Sequence, residues 1–189
     1  MTRDPLRVAA FCAYLAACVA FAVGAVVSGL PQIRKQAASP GPLRVHPATA
    51  VGTILQIASA MVVTFFLGSG PLRPVRIELV GALVLAPLAA ALFAWAVISA
   101  SQRGGAEMLV TRGAYAWIRH PMYLAFLAML VATGLLASSV IRLAIAVVMY
   151  LAGSELRIAS EERRLAAKFN SAYEQYRVRT RWRYLPGLR

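Results

Sequence analysis

The fold class predicted by this sequence is an all-α integral membrane bundle of about five transmembrane helices with a cytoplasmic C-terminal helix. Three observations predict it. Of 189 residues 60% are hydrophobic and only 14% charged, mean hydropathy is +0.66, and apolar runs of bilayer-crossing length recur along the chain.

The first three spans are the apolar runs 8–30, 48–68 and 77–98, each near the roughly 20 residues a helix needs to cross about 30 Å of hydrocarbon. The opening residues also resemble a signal peptide, and Leu15-Ala16-Ala17-Cys18 a lipoprotein cleavage site. Because the apolar run continues well past Cys18, the segment is expected to stay as a transmembrane helix. Cys12 and Cys18 suggest neither a disulfide nor a metal site. Pro87, near the middle of the third span, removes a backbone donor and is read as a tolerated kink.

Two shorter apolar runs, 122–137 and 140–153, are separated by Ser138-Ser139 and predict a tight helical hairpin, with Arg142 snorkelling to the far interface. The tail continues the fifth span as a helix, since Leu151, Ile158, Leu165 and Phe169 recur at helical spacing and no Gly or Pro intervenes between Gly153 and Pro186. Its last part interleaves Tyr173, Tyr176, Trp182 and Tyr184 with arginines, a mixture suited to the headgroups of an anionic leaflet and equally to a solvated basic tail. One domain over 1–189 is expected: three N-terminal spans in 1–98, then a polar loop, the hairpin and the C-terminal helix in 99–189.

The formal charge of +13 raises nucleic acid as a partner, and its distribution argues against one. With five spans and the C-terminus inside, the segments 31–47, 99–121 and 154–189 carry 15 of the 20 Lys and Arg residues. The positive-inside rule accounts for that asymmetry and places the N-terminus outside and the C-terminus in the cytoplasm. The loop 99–121 and the tail 154–189 then face the same side and can build one site.

With only His46 and His120 and no acid or Cys at ligand spacing, a metal centre is not expected. No P-loop, GxSxG or GxGxxG is present. Glu161-Glu162 lies just beyond the bilayer edge with Arg157 one helical turn before, which is compatible with a surface ion pair. Arg119, His120 and Tyr123, however, crowd a membrane boundary where polar groups are costly, and that clustering points to a site. Pro121 at a helix start forfeits no hydrogen bond and holds the residues before it out of helical conformation.

Gly113, Tyr115, Arg119-His120-Pro121-x-Tyr123, then Glu161-Glu162 followed by Leu165, Phe169, Tyr173 and Tyr176, resemble the isoprenylcysteine carboxyl methyltransferase family and the related phospholipid methyltransferases, over roughly 100–187. The resemblance implies a membrane methyltransferase using S-adenosylmethionine, enclosed between the inner loop and the helix after the hairpin. It implies a cofactor site from Gln102, Glu107, Met108, Leu109, Val110, Tyr115, Arg119, His120, Pro121, Met122, Tyr123, Glu161 and Glu162. Arg157 would position the acceptor, a carboxylate on a lipidated, isoprenylcysteine-like molecule entering from the bilayer. Ala114, Ala125 and Asn170 depart from the family pattern and bear first on acceptor identity. The alternatives are N- or S-methylation of a phospholipid or small amphiphile, and a non-enzymatic transporter or structural subunit.

Overall fold

In the computed structural model, residues 4–38, 46–64, 74–102, 108–184 and 187 are described, with side chains in the first stretch described from 4 to 27. The chain folds as helices α1 (Pro5–Ala38), α2 (Pro47–Thr64), α3 (Arg76–Ser101), α4 (Pro121–Leu136), α5 (Val140–Phe169) and α6 (Ser171–Arg179), with a 3-10 turn at Gly113–Ala116 before α4. Four of these helices, α1, α2, α3 and α5, are long and apolar enough to cross a membrane, and α4 is a shorter apolar helix. The chain is therefore a helical membrane bundle.

Local chemistry starts the helices. Pro5, Pro47 and Pro121 each stand first in a helix, where the missing N–H costs nothing. Asp4 Oδ1 accepts the amide of Leu6 at 3.1 Å, and His46 Nδ1 that of Ala48 at 3.3 Å, satisfying donors left open at the ends of α1 and α2. Glu78 does the same for α3, accepting the Val75 amide at 2.8 Å, and also receives the Ser138 hydroxyl at 3.0 Å. That second contact ties the start of α3 to the α4–α5 turn, where Ser138 holds a positive φ of 50°.

Lipid-facing and buried positions are sorted by size. Val19, Ile54, Ile77, Leu88 and Val148 are exposed, whereas Ala10, Ala17, Ala82, Ala86, Ala89, Ala125, Ala132 and Ala146 are buried. With lipid as apolar as any side chain, small residues at the seams let helices approach and gain dispersion contacts. Helix α3 runs unbroken through Pro87, which is exposed.

Two packed layers result. Ala10 with Leu79 and Leu136, then Ala17 with Ala86 and Ala132, then Phe21 with Phe93 and Ala125, form successive clusters in which α1 runs parallel to α3 and antiparallel to α4. Helices α2 and α5 pack antiparallel. They cross where Gly52 and Gly153 meet, and a Cβ at either would lie 2.6 Å from the other's carbonyl oxygen. Thr49 to Ser160 at 3.0 Å and Gln56 to Ser154 at 2.9 Å continue the seam as interhelical hydrogen bonds.

These pairings put the starts of α1 and α3 and the end of α4 at one end of the bundle. The starts of α2 and α4, the end of α5 and α6 share the other. The expected continuous tail helix is corrected in one respect: α5 ends at Phe169, and the chain turns at Asn170, with φ 45° and ψ −122°, before α6 begins. That region of backbone space favours glycine, and Asn is among the side chains that tolerate positive φ.

Candidate functional site

The loop before α4 is fastened to the tail by backbone and charge. The Arg119 amide donates to Trp182 O at 2.9 Å and the His120 amide to Arg183 O at 2.7 Å. Arg119 is buried, its Nε donating to Glu162 Oε1 at 3.0 Å and its Nη1 to the carbonyls of Thr180 and Arg181 at 2.8 and 2.9 Å. Arg183 Nη1 reaches Glu155 at 2.7 Å, and its Nη2 lies 3.5 Å from Glu162 Oε2. The Tyr176 hydroxyl donates to Tyr115 O at 2.8 Å, and burial pushes that phenol up, so it remains a neutral donor. Gly113 sits at φ 62°, where a Cβ would come within 2.1 Å of Ser99 Oγ, the atom that accepts the Ala114 amide at 3.2 Å. Only glycine permits this turn to seat on α3.

Glu162 is the hub of this clasp. It lies 22 residues beyond the start of α5, about 33 Å along the axis and so past roughly 30 Å of hydrocarbon. Burial opposes its ionisation, but the hydrogen bond from His120 and the charges of Arg183 and Arg119 outweigh burial and hold the carboxyl at about 2.

In front of the clasp, His120 Nδ1 lies 3.8 Å from Glu161 Oε2 and Nε2 lies 3.3 Å from Glu162 Oε1. The imidazole, 5% exposed, is thus held between two carboxylates, its ring edge-on to Tyr123 at 5.7 Å. The Tyr123 hydroxyl donates to Glu161 Oε2 at 3.4 Å, and the Tyr150 hydroxyl donates to the Tyr123 carbonyl at 2.8 Å. The Arg157 guanidinium donates from Nη1 to Gln56 Oε1 and stacks 5.4 Å over the Tyr123 ring. Its Nε is buried with no hydrogen-bond partner.

These groups open into a cavity of about 720 Å³ between α1, α2, α4 and α5. Its charged end is formed by Tyr115, His120, Tyr123, Arg157 and Glu161; its long walls are mostly apolar, with Phe21, Phe126, Met129 and Leu130 among them and Thr53, Ser59, Thr64 and Thr133 interspersed. Phe126 and Ile57, on those walls, are 44% and 57% exposed, so this flank is open toward the hydrocarbon.

Of the residues anticipated for cofactor and acceptor, Tyr115, His120, Met122, Tyr123, Glu161 and Arg157 converge on this cavity. Arg119 and Glu162 stand behind His120 in the clasp, and Pro121 is buried at the head of α4. Gln102 caps the C-terminus of α3 and is exposed, Met108 is exposed, and Leu109 and Val110 are half-buried; none of these four belongs to the described cavity wall. Glu107 lies outside the described residues. Sequence reasoning missed Gln56, Tyr14 and Thr133, although a lone amide and hydroxyls inside apolar runs were a signal for them.

Fold and site together define a class: a polytopic helical membrane protein whose polar, charge-lined chamber at one membrane boundary continues into an apolar cleft. Residues 82–167 match the model of the isoprenylcysteine carboxyl methyltransferase (ICMT) family. The matched stretch begins in α3, before the anticipated resemblance, and ends before Tyr173 and Tyr176. The chain is 41% identical over 81 residues to a protein-S-isoprenylcysteine O-methyltransferase of Schizosaccharomyces pombe, covering 42% of this chain. The chain spans about a third of that relative's length, 34%.

Proposed function

We propose that this protein is an S-adenosylmethionine-dependent membrane methyltransferase that methylates the carboxylate of a lipidated, isoprenylcysteine-like acceptor. The observation that carries this reading is a cavity whose charged groups, His120, Arg157 and Glu161, gather beside Tyr123 at one end and whose remaining lining is uncharged and mostly apolar. The match of residues 82–167 to the family supports it.

The donor set fits the cofactor. Glu161, 40% exposed, offers a carboxylate to an ammonium or ribose hydroxyl, His120 and Tyr123 offer polar atoms beside it, and Tyr115 offers a ring. When bound, S-adenosylmethionine supplies an electrophilic methyl group on a sulfonium. An acceptor carboxylate is already ionised, so no residue has to remove a proton from it. Arg157 positions that carboxylate: its buried, unpartnered Nε is a donor that an acceptor oxygen satisfies. Gln56 and the Tyr123 ring fix the guanidinium beforehand, so little ordering remains when the acceptor arrives. The apolar walls exclude water and take the lipid tail, which enters from the flank at Phe126 and Ile57. The positive-inside distribution supports a cytoplasmic chamber with the N-terminus outside.

Calorimetry with S-adenosylhomocysteine on purified protein in nanodiscs tests the cofactor site. Micromolar binding that is lost in Glu161→Ala while the protein stays folded is expected. Undiminished binding in the variant contradicts the assignment of Glu161, and absence of binding in the folded wild-type protein contradicts the methyltransferase reading itself.

A further inference from the structure

Far from the polar end of the cavity, a side-chain hydrogen bond joins two of the helices that line it. Tyr14 on α1 and Thr133 on α4, 119 residues apart in sequence, stand 3.0 Å apart through Tyr14 OH and Thr133 Oγ1. Thr133 Oγ1 also donates to Met129 O at 2.8 Å. Its single proton is thereby used, so Tyr14 must donate to Thr133. The phenol is clamped across from one helix to the other and does not swing as a free side chain.

Both residues line the cavity. Immediately beyond, Ala10, Leu79, Ala82 and Leu136 pack into a buried cluster against which Tyr14 itself rests. From His120 at the polar end to Thr133 is 13 residues, about 20 Å along a helix rising about 1.5 Å per residue. A leaflet of hydrocarbon is roughly half of 30 Å thick, so the cleft holds a tail of about one leaflet's length together with its head group.

The chemistry of the bond sharpens its role. A leucine would seal an apolar cleft just as well, whereas an interhelical hydrogen bond inside hydrocarbon fixes the separation of α1 and α4 at that level. Tyr14 also lies outside the family-matched residues 82–167.

We infer that Tyr14, clamped to Thr133, is the floor of the acceptor cleft and sets the longest lipid tail the protein methylates. The inference rests on the proposed carboxyl methylation of a lipidated acceptor. A tail that ends short of the ring leaves dry space unfilled, and one that overreaches must displace the ring or pull the carboxylate away from Arg157. Tyr14 is thus a specificity-determining residue, acting about 20 Å from the transferred methyl.

The test uses S-prenyl cysteines carrying two, three and four isoprene units, measured for methyl transfer and, separately, for displacement of a fluorescent prenyl cysteine from the full-length protein in nanodiscs. A cut-off in tail length is expected in the wild-type protein. Tyr14→Ala should move it upward, raising the ratio of kcat/KM for the first excluded tail over the longest accepted one about tenfold or more, a difference of about 1.4 kcal/mol or more. Tyr14→Phe, which keeps the ring and loses its bond to Thr133, should raise the ratio by less than Tyr14→Ala does. Tyr14→Leu provides a second, better-packed opening if the alanine variant fails to fold, and S-adenosylhomocysteine binding reports folding in each. Transfer to all three tails without a cut-off, or a cut-off unmoved in Tyr14→Ala and Tyr14→Leu, overturns the floor and leaves the methyltransferase reading standing. Length-dependent binding without transfer overturns that reading and leaves the floor. Neither binding nor transfer overturns both.

Discussion

Replacing Glu162 by Gln removes the charge on which the clasp is built, and its cost can be worked from the structure in two ways. The carboxyl stands at about 2 against an ordinary 4.5, and at about 1.4 kcal/mol per pH unit this displacement corresponds to about 3 kcal/mol. Independently, removing one partner of a buried ion pair costs about 3 to 5 kcal/mol, and Arg119 is only 6% exposed with its Nε directed at Glu162. The two routes agree. Because the folded value is depressed, the stabilisation is fully present above about pH 4.5 and is lost as pH falls through about 2. Equilibrium unfolding in detergent micelles, followed by tryptophan fluorescence, reads this out, since Trp182 belongs to the clasped tail through its carbonyl. Wild type should lose about 3 kcal/mol between pH 4.5 and 2. Glu162→Gln should start lower by about the same amount at pH 7 and lack that component of the acid slope. A variant within about 0.5 kcal/mol of wild type at pH 7, with an unchanged acid slope, refutes the reasoning.

Gln56→Leu should leave S-adenosylhomocysteine affinity within about twofold while lowering kcat/KM about tenfold or more, a loss of about 1.4 kcal/mol or more, because Arg157 loses the partner that orients it; steady-state kinetics beside calorimetry separate the two effects. Asn170→Gly should raise stability by about 1 kcal/mol in thermal unfolding, since φ 45° with ψ −122° strains a residue bearing a Cβ. A lower stability for that variant would show that the Asn170 side chain contributes more than its backbone strain costs.

Much of the bundle was legible because hydrophobic length is a strong signal: the third span was expected at 77–98 and the helix covers Arg76–Ser101. The start of α4 was equally legible, since Pro121 fixes where a helix can begin and holds His120 outside it. The break at Asn170 was not, because helical periodicity passes through a single residue with positive φ without a trace. Within the candidate site, Arg119 and Glu162 read in sequence like His120 and Glu161, their immediate neighbours. Only the tail's return over the loop separates them, turning Arg119 toward the carbonyls of Thr180 and Arg181 and Glu162 toward Arg119 and Arg183, while His120 and Glu161 face the cavity. Gln56 and Tyr14 were hidden for a different reason. A single amide or phenol in an apolar run names no partner, and theirs lie 101 and 119 residues away.

The most direct measurement is transfer of a labelled methyl group from S-adenosylmethionine to an S-farnesyl cysteine derivative by the purified protein in nanodiscs, beside the same compound with its carboxylate converted to a carboxamide. A base-labile methyl ester formed only from the free carboxylate, and sharply reduced in Arg157→Ala, is the expected result. Equal labelling of the carboxamide, or labelling of a phospholipid amine with none on the carboxylate, would contradict carboxyl methylation and the positioning role of Arg157 with it.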